Sequence, residues 1–194
     1  MPDSRLWHIK PSTPIDWRSI SHPVKRTIET VAEHARAARV GGEAAAFSVL
    51  VVGIDGQDRM AAAKACAAGL HVELYHIDLG AMLGKYIGNT QKLLDQLFSD
   101  AERTEAVLFF DEADALFGKR SKIEDAHDRY ANFEVGYLLR KTETHRGLIV
   151  WGASASPSRT HVTHPRLDAV LSLPRRRKRH RFQKQPRPGQ RRAR

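Results

Sequence analysis

The 194-residue chain reads as an α/β protein, with a parallel sheet of five strands covered by helices on both faces. Three observations predict this. Short, almost wholly apolar runs recur along the chain, and Val107–Phe110 is the clearest of them. Segments with helical spacing lie between the runs. Unusual text also stands at the carboxyl ends of two runs: GIDGQDRM follows Val52, and DEAD follows Phe110. Open parallel sheets place their ligands beyond those ends.

Taken in order, residues 1–20 contain Pro and Ser, with Trp7 and Trp17 as isolated anchors, and read as a lead-in arm to a core domain over 21–174. Val24, Ile28, Val31 and Ala35 recur at helical spacing with charges between them, which predicts an amphipathic helix over Val24–Arg39, ended by Gly41 and Gly42. Phe47–Val52 is a strand of the buried type, and Arg59–Gly69 is an Ala-rich helix. Val72–Ile77 is the second strand. Thr90–Arg103 is a helix with Leu93, Leu94 and Leu97 on one side, and Ala106–Phe110 is the third strand. Ala126–Thr142 is a long helix expected to turn Tyr130, Phe133, Tyr137 and Leu138 inward. Leu148–Trp151 and Ala169–Leu173 complete the sheet.

The net charge of +10 suggests a nucleic-acid binder until it is located. Eleven of the 32 Lys and Arg residues lie in 175–194 with no acid among them, which leaves 21 bases against 22 acids elsewhere. The basic character belongs to a low-complexity tail, too charged to pack. Cys66 is the sole cysteine, which excludes a disulfide framework and a Cys-based metal site; inside an Ala-rich helix it reads as a small core residue. The N-terminal text has no apolar signal-like stretch, and the longest apolar run, Ala44–Val52, is well short of the roughly 20 residues a membrane span needs. A cytoplasmic protein without membrane contact is expected. His161 and His164 read as surface histidines, with no carboxylate or Cys beside them to make a metal site.

Asp111 and Glu112 follow four apolar residues, and two carboxylates at a buried strand tip are costly unless something positive stands beside them. In a nucleotide site the Asp would hold Mg²⁺ through water and the Glu would orient the attacking water. The plainer alternative is Asp111 as the cap of a helix beginning at Glu112 or Ala113. The Gly-rich turn after an earlier strand favours the nucleotide site. Asp111-Glu112-Ala113-Asp114 also spells the DEAD of RNA helicases, with Ser154-Ala155-Ser156 as a faint echo of a later helicase motif. The motifs expected between them are not visible, and no second helicase domain fits in what remains.

HIDLGAMLGKYIGNTQK (His76–Lys92), DEADALFGKRS (Asp111–Ser121) and DAHDRYANFEVGYLLRKTE (Asp125–Glu143) together resemble the central domain of AAA+ ATPases, including bacterial members tied to contractile injection systems. The resemblance covers roughly Trp17 to Pro174. It implies a P-loop NTPase-like fold, ATP with Mg²⁺ as cofactor, assembly into a ring with copies or related AAA+ subunits, and a polypeptide substrate. By position, it implies that Asp111 and Glu112 are the Walker B pair, Asp111 toward the metal and Glu112 toward water. Lys85-Tyr86-Ile87-Gly88 would be the first pore loop, Ser154 the sensor after the fourth strand, and Arg166 the survivor of two arginines that reach a neighbour's site, the other falling on Pro165. Gly53, Gly56, Asp58, Arg59 and Met60 would line the phosphate loop.

That loop departs from the pattern G-x-x-x-x-G-K-[ST]. Asp58 brings a Cβ and a negative charge to where the backbone approaches phosphate. A like-charge pair near 4 Å costs about 4 kcal/mol at an effective dielectric of 20, roughly a thousandfold in affinity. Asp55 adds to this. Arg59 keeps the charge of the usual Lys, but as a planar guanidinium, and pairing with Asp58 would recover part of the cost. Met60 offers Mg²⁺ no oxygen. Ser154 stands where the family usually has Asn, and the text beyond Pro174 does not read as the helical lid. The expectation is a phosphate loop by descent, weak or inactive as an ATPase. The alternative is a non-hydrolysing structural or interaction subunit, or a truncated gene product. In either case the tail would bind polyanions, nucleic acid included, in a salt-dependent way without specific single-strand recognition.

Overall fold

Apolar runs too short for helices take up strand pairing wherever a parallel neighbour can satisfy their backbone. The computed structural model describes residues 8–9, 22–40, 47–80, 82, 90–117, 126–156 and 165–174. The strands are β1 (His8–Ile9), β2 (Phe47–Val52), β3 (Leu74–Asp78), β4 (Val107–Asp111), β5 (Leu148–Ala153) and β6 (Ala169–Ser172). The helices are α1 (His22–Val40), α2 (Gly56–Leu70), α3 (Thr90–Thr104), the single turn α4 (Asp114–Phe117) and α5 (Ala126–Thr144).

The sheet order is β1-β3-β4-β5-β2-β6. The five strands from β2 to β6 are mutually parallel, as expected. β1 adds a two-residue antiparallel edge to β3, pairing His8 with Tyr75, and comes from the segment read as an arm. The register sets Asp78 beside Asp111 and Val52 beside both Ala153 and Ser172. The carboxyl ends of the parallel strands therefore share one edge of the sheet.

Two cores result. α1 and α2 cover Val49, Val51, Phe109 and Val150 on one face. Val24, Ile28, Val31 and Ala35 of α1 are all buried there, and the small side chains Ala62, Ala63, Cys66 and Ala67 let α2 lie close to the strands. On the other face α3 brings Leu94, Leu97 and Phe98, and α5 brings Leu138, over Leu108, Phe110, Ile149 and Trp151. Trp151 is fully buried, stacks on Phe110 at 4.9 Å, and donates its indole N–H to Ser48 Oγ at 2.8 Å. Tyr137 is half-buried and sends its hydroxyl to Asp95, whereas the side chains of Tyr130 and Phe133 lie outside the described residues.

The largest shift from the sequence reading is at α2, which starts at Gly56 rather than Arg59. Asp55 explains it: its carboxylate accepts from the Gln57 amide at 2.8 Å and caps the helix. The stretch that reads as a loop is therefore largely the first turns of a helix. β5 runs two residues beyond Trp151, to Ala153. Among the described residues, no helix is long and apolar enough to cross a membrane.

Candidate functional site

The site lies at the carboxyl edge of the sheet, where β2 turns into α2 and β4 ends. Because α2 begins at Gly56, Arg59 falls in its first turns and its side chain is directed back under the loop. Arg59 is 2% exposed. Its Nε donates to Asp111 Oδ1 at 2.7 Å, Nη1 to the Gly53 carbonyl at 2.8 Å, and Nη2 to Glu112 Oε1 at 2.5 Å. One guanidinium thus ties together the end of β2, the start of α2 and the tip of β4. Burial pulls the Arg59 guanidinium down, but the hydrogen bonds and charges of Asp111 and Glu112 outweigh it and hold it above its ordinary value. The group stays charged at every pH at which the protein folds.

This excludes two alternatives that the sequence left open. The hydrogen-bond partners of Arg59 are Asp111, Glu112 and Gly53, not Asp58, because α2 sends its first inward side chain toward the sheet while Asp58 occupies the helix's first turn. Asp111 is not a helix cap: it closes β4, its carboxylate faces Arg59, and the next helical turn begins only at Asp114. The positive partner demanded by two carboxylates at a strand tip is present, and it comes from the first turns of α2.

Gly53, Gly56, Arg59, Asp111 and Glu112 are therefore brought together. Gly56 is so close that a Cβ there would stand 3.5 Å from Arg59 Nη2. Met60 is half-buried and packs against the α1–α2 core. Ser154 is exposed and takes a different partner: its amide and hydroxyl both donate to the Asp114 carboxylate, at 2.8 and 3.0 Å. Arg166 is exposed, lies 3.4 Å from Asp168 Oδ1, and precedes β6. Asp168 exchanges hydrogen bonds with Ser48 at the start of β2, whereas Gly53 follows its end, about 16 Å along the strand. Arg166 is thus at the opposite edge of the sheet from Arg59 and cannot serve its own chain's site. Pro165 is buried. Lys85, Tyr86, Ile87 and Gly88 lie outside the described residues, as do His161, His164 and the basic segment 175–194.

Sequence reasoning missed two contributors. Gly152, on β5 beside Asp111, has no side chain because a Cβ there would overlap Asp111 Oδ1 and stand 2.9 Å from the Phe109 ring. His76, two residues before the end of β3, stacks on Phe109 at 5.3 Å with its Nε2 buried and without a hydrogen bond. Burial lowers the imidazole below its ordinary value, against the opposing charges of Asp111 and Asp78, and Lys64 lowers it further. The Gly in the text Trp151-Gly152-Ala153 was the only signal available for the first, and only strand register gives it meaning.

These residues do not fit ATP with Mg²⁺. The carboxylate that would face the metal is hydrogen-bonded to a guanidinium, the residue after Arg59 is a thioether, and the first turn of α2 carries Asp58 with Asp55 as its cap. Among the described residues, no group of three or more His, Cys, Asp or Glu side chains is placed to hold a metal ion.

Comparison with known proteins gives the family context. The model of the ATPase family associated with various cellular activities (AAA) matches residues 49–175. The chain is 30% identical over 122 residues to spastin of Xenopus laevis, an alignment that covers 60% of this chain and 20% of that protein. It is 28% identical over 118 residues to a putative cell division cycle ATPase of Plasmodium falciparum, covering 60% of this chain and 10% of the relative. To the ATPase family gene 2 protein of Schizosaccharomyces pombe it is 34% identical over 83 residues, which is 42% of this chain and 10% of that one. The chain thus matches a fifth or less of the length of these relatives.

Proposed function

Because the chain belongs to the AAA family of ATPases, we propose that it is an AAA nucleotide-binding domain whose phosphate loop is locked by its own Arg59, so that it binds ATP with Mg²⁺ weakly and hydrolyses it little or not at all. Members of the family generally use ATP with Mg²⁺. The observation that carries the proposal is the triple engagement of the Arg59 guanidinium by Asp111, Glu112 and the Gly53 carbonyl. In this reading the Walker B pair is present in type but spent on an internal cation. Asp58, Met60 and the Ser154–Asp114 contact support the same conclusion.

Such a domain would act as a non-hydrolysing subunit, in a ring with copies of itself or with related AAA+ subunits. The exposure of Arg166 at the far edge of the sheet suits a residue offered to a neighbour's site rather than to its own. The text Lys85-Tyr86-Ile87-Gly88 supports engagement of a polypeptide, and the motif text alone supports a place beside a contractile injection system. The 175–194 segment adds a polyanion tether. A cytoplasmic setting suits a single cysteine, Cys66, that is buried and free.

The test is calorimetric titration of Mg-ATP and Mg-ADP into the natural chain and into the triple variant Asp58→Gly, Arg59→Lys, Met60→Thr. Millimolar or undetectable binding by the natural chain is expected, with micromolar binding regained in the variant. A steady-state ATPase rate in the natural chain that disappears on Glu112→Gln would overturn the proposal.

A further inference from the structure

The three acceptors of Arg59 are not equally fixed. The Gly53 carbonyl is main chain. Asp111 is the last residue of β4, with a side chain 12% exposed, and β5 leaves it room only because position 152 is Gly. Glu112 lies just past the strand. Its side chain is 55% exposed, and its backbone is in the left-handed region at φ 55°, which is strained for a non-Gly residue. Of the three acceptors, Glu112 is the one whose own surroundings hold it least, and the ion pair with Nη2 is the contact that the structure gives its carboxylate.

The direction of that contact matters. Arg59 Nη2 is the guanidinium atom nearest to where a Cβ on Gly56, the first residue of α2, would stand, 3.5 Å away. A phosphate oxygen there would take the same charge-assisted hydrogen bond that the Glu112 carboxylate takes now. Nε, by contrast, is committed to the buried Asp111.

We propose that Glu112 is a built-in anion competing with phosphate for Arg59, so that removing its charge opens the loop to a phosphate or diphosphate group bound with Arg59 in place of Mg²⁺. This rests on the reading that Arg59 locks the loop, and it assigns the releasable half of that lock to Glu112. Binding at the opened site is metal-free, because Asp111 stays paired with Arg59 and residue 60 supplies no oxygen.

The test uses inorganic pyrophosphate and ATP as probes, titrated calorimetrically in EDTA and again with excess Mg²⁺. The proteins are the natural chain, Glu112→Gln, Glu112→Gly, and each Glu112 variant combined with Arg59→Met. The Gly variant removes the carboxylate and also relieves the left-handed backbone, so at least one of the two is expected to fold as well as the natural chain in thermal unfolding. The expected result is at least a tenfold gain in affinity for both probes in the Glu112 variants, unchanged by Mg²⁺ and lost with Arg59→Met. Unchanged affinity in both Glu112 variants, or binding that appears only with Mg²⁺, would overturn the proposal. Either outcome leaves the weak-binding reading of the natural chain standing. That reading falls instead if the natural chain itself binds Mg-ATP at micromolar concentration.

Discussion

Arg59 is the residue on which both stability and chemistry turn. A buried carboxylate beside a guanidinium is tolerable; the same carboxylate left alone is not, and removing one partner of a buried pair costs about 3–5 kcal/mol. Arg59→Met keeps the length and apolar stem while leaving Asp111 buried without its cation. We expect it to lower unfolding free energy in urea by about 3 kcal/mol; a loss under about 1 kcal/mol would mean the pair contributes little beyond its neighbours. Gly152→Ala attacks the same contact from the other side, since the new methyl would meet Asp111 Oδ1 and the Phe109 ring. Overpacking of this kind costs about 1–3 kcal/mol, and denaturation at neutral pH measures it. His76 supplies a pH dependence. Burial keeps its folded-state value below the ordinary 6.5, so between the two values the unfolded chain binds more protons than the folded one. Stability should therefore fall as pH drops through about 6.5, and His76→Phe should flatten that part of the profile. An unchanged slope in the variant would assign the acid loss to other groups.

At the scale of elements, what was legible and what was not separates along physical lines. The helix over α1 was readable because Val24, Ile28, Val31 and Ala35 keep a 3.6-residue period, and all four are buried. β4 was readable because an apolar run that short has few other uses. α2 was read three residues short because Asp55 was weighed as a charge against phosphate and not as a cap. β1 is two residues long and carries no periodic signal at all. The carboxylate pair and the glycines of the loop were singled out from sequence, and the fold brings them together. The partner of Asp111 was not, because Arg59 stands 52 positions away and only the sheet brings the two together. β6 shows how such long-range contacts fasten an element: Asp168 accepts from the Ser48 amide at 2.8 Å and donates its own amide to Ser48 O, while the Leu173 amide donates to Val52 O at the other end. Asp168→Ala should cost about 1–2 kcal/mol by leaving the Ser48 amide without its partner. The effect should be local, with faster amide exchange in β6 than in β4. Uniform acceleration across the sheet would mean that β6 does not open separately.

For the whole molecule, charge is divided between a core that is nearly neutral and a terminal segment that is not. The 174 residues before Arg175 carry 21 bases and 22 acids, and the last 20 carry eleven bases and no acid. An anion-binding role for the core would have to overcome Asp55 and Asp58 at the start of α2, where a phosphate would approach. The 175–194 segment meets no such opposition from its own sequence. If it neutralises six to ten phosphates of duplex DNA, affinity should fall about 10³–10⁵-fold between 50 and 200 mM salt. Fluorescence anisotropy with random-sequence duplexes would read this directly, comparing the full chain with a variant lacking residues 175–194. Loss of binding in the shortened chain, with its unfolding transition unchanged, would place polyanion binding in the tail and leave the AAA core as a folded unit that does not need it. Retained binding with the same salt slope would move the interaction onto the core, where the near balance of charge gives no reason to expect it.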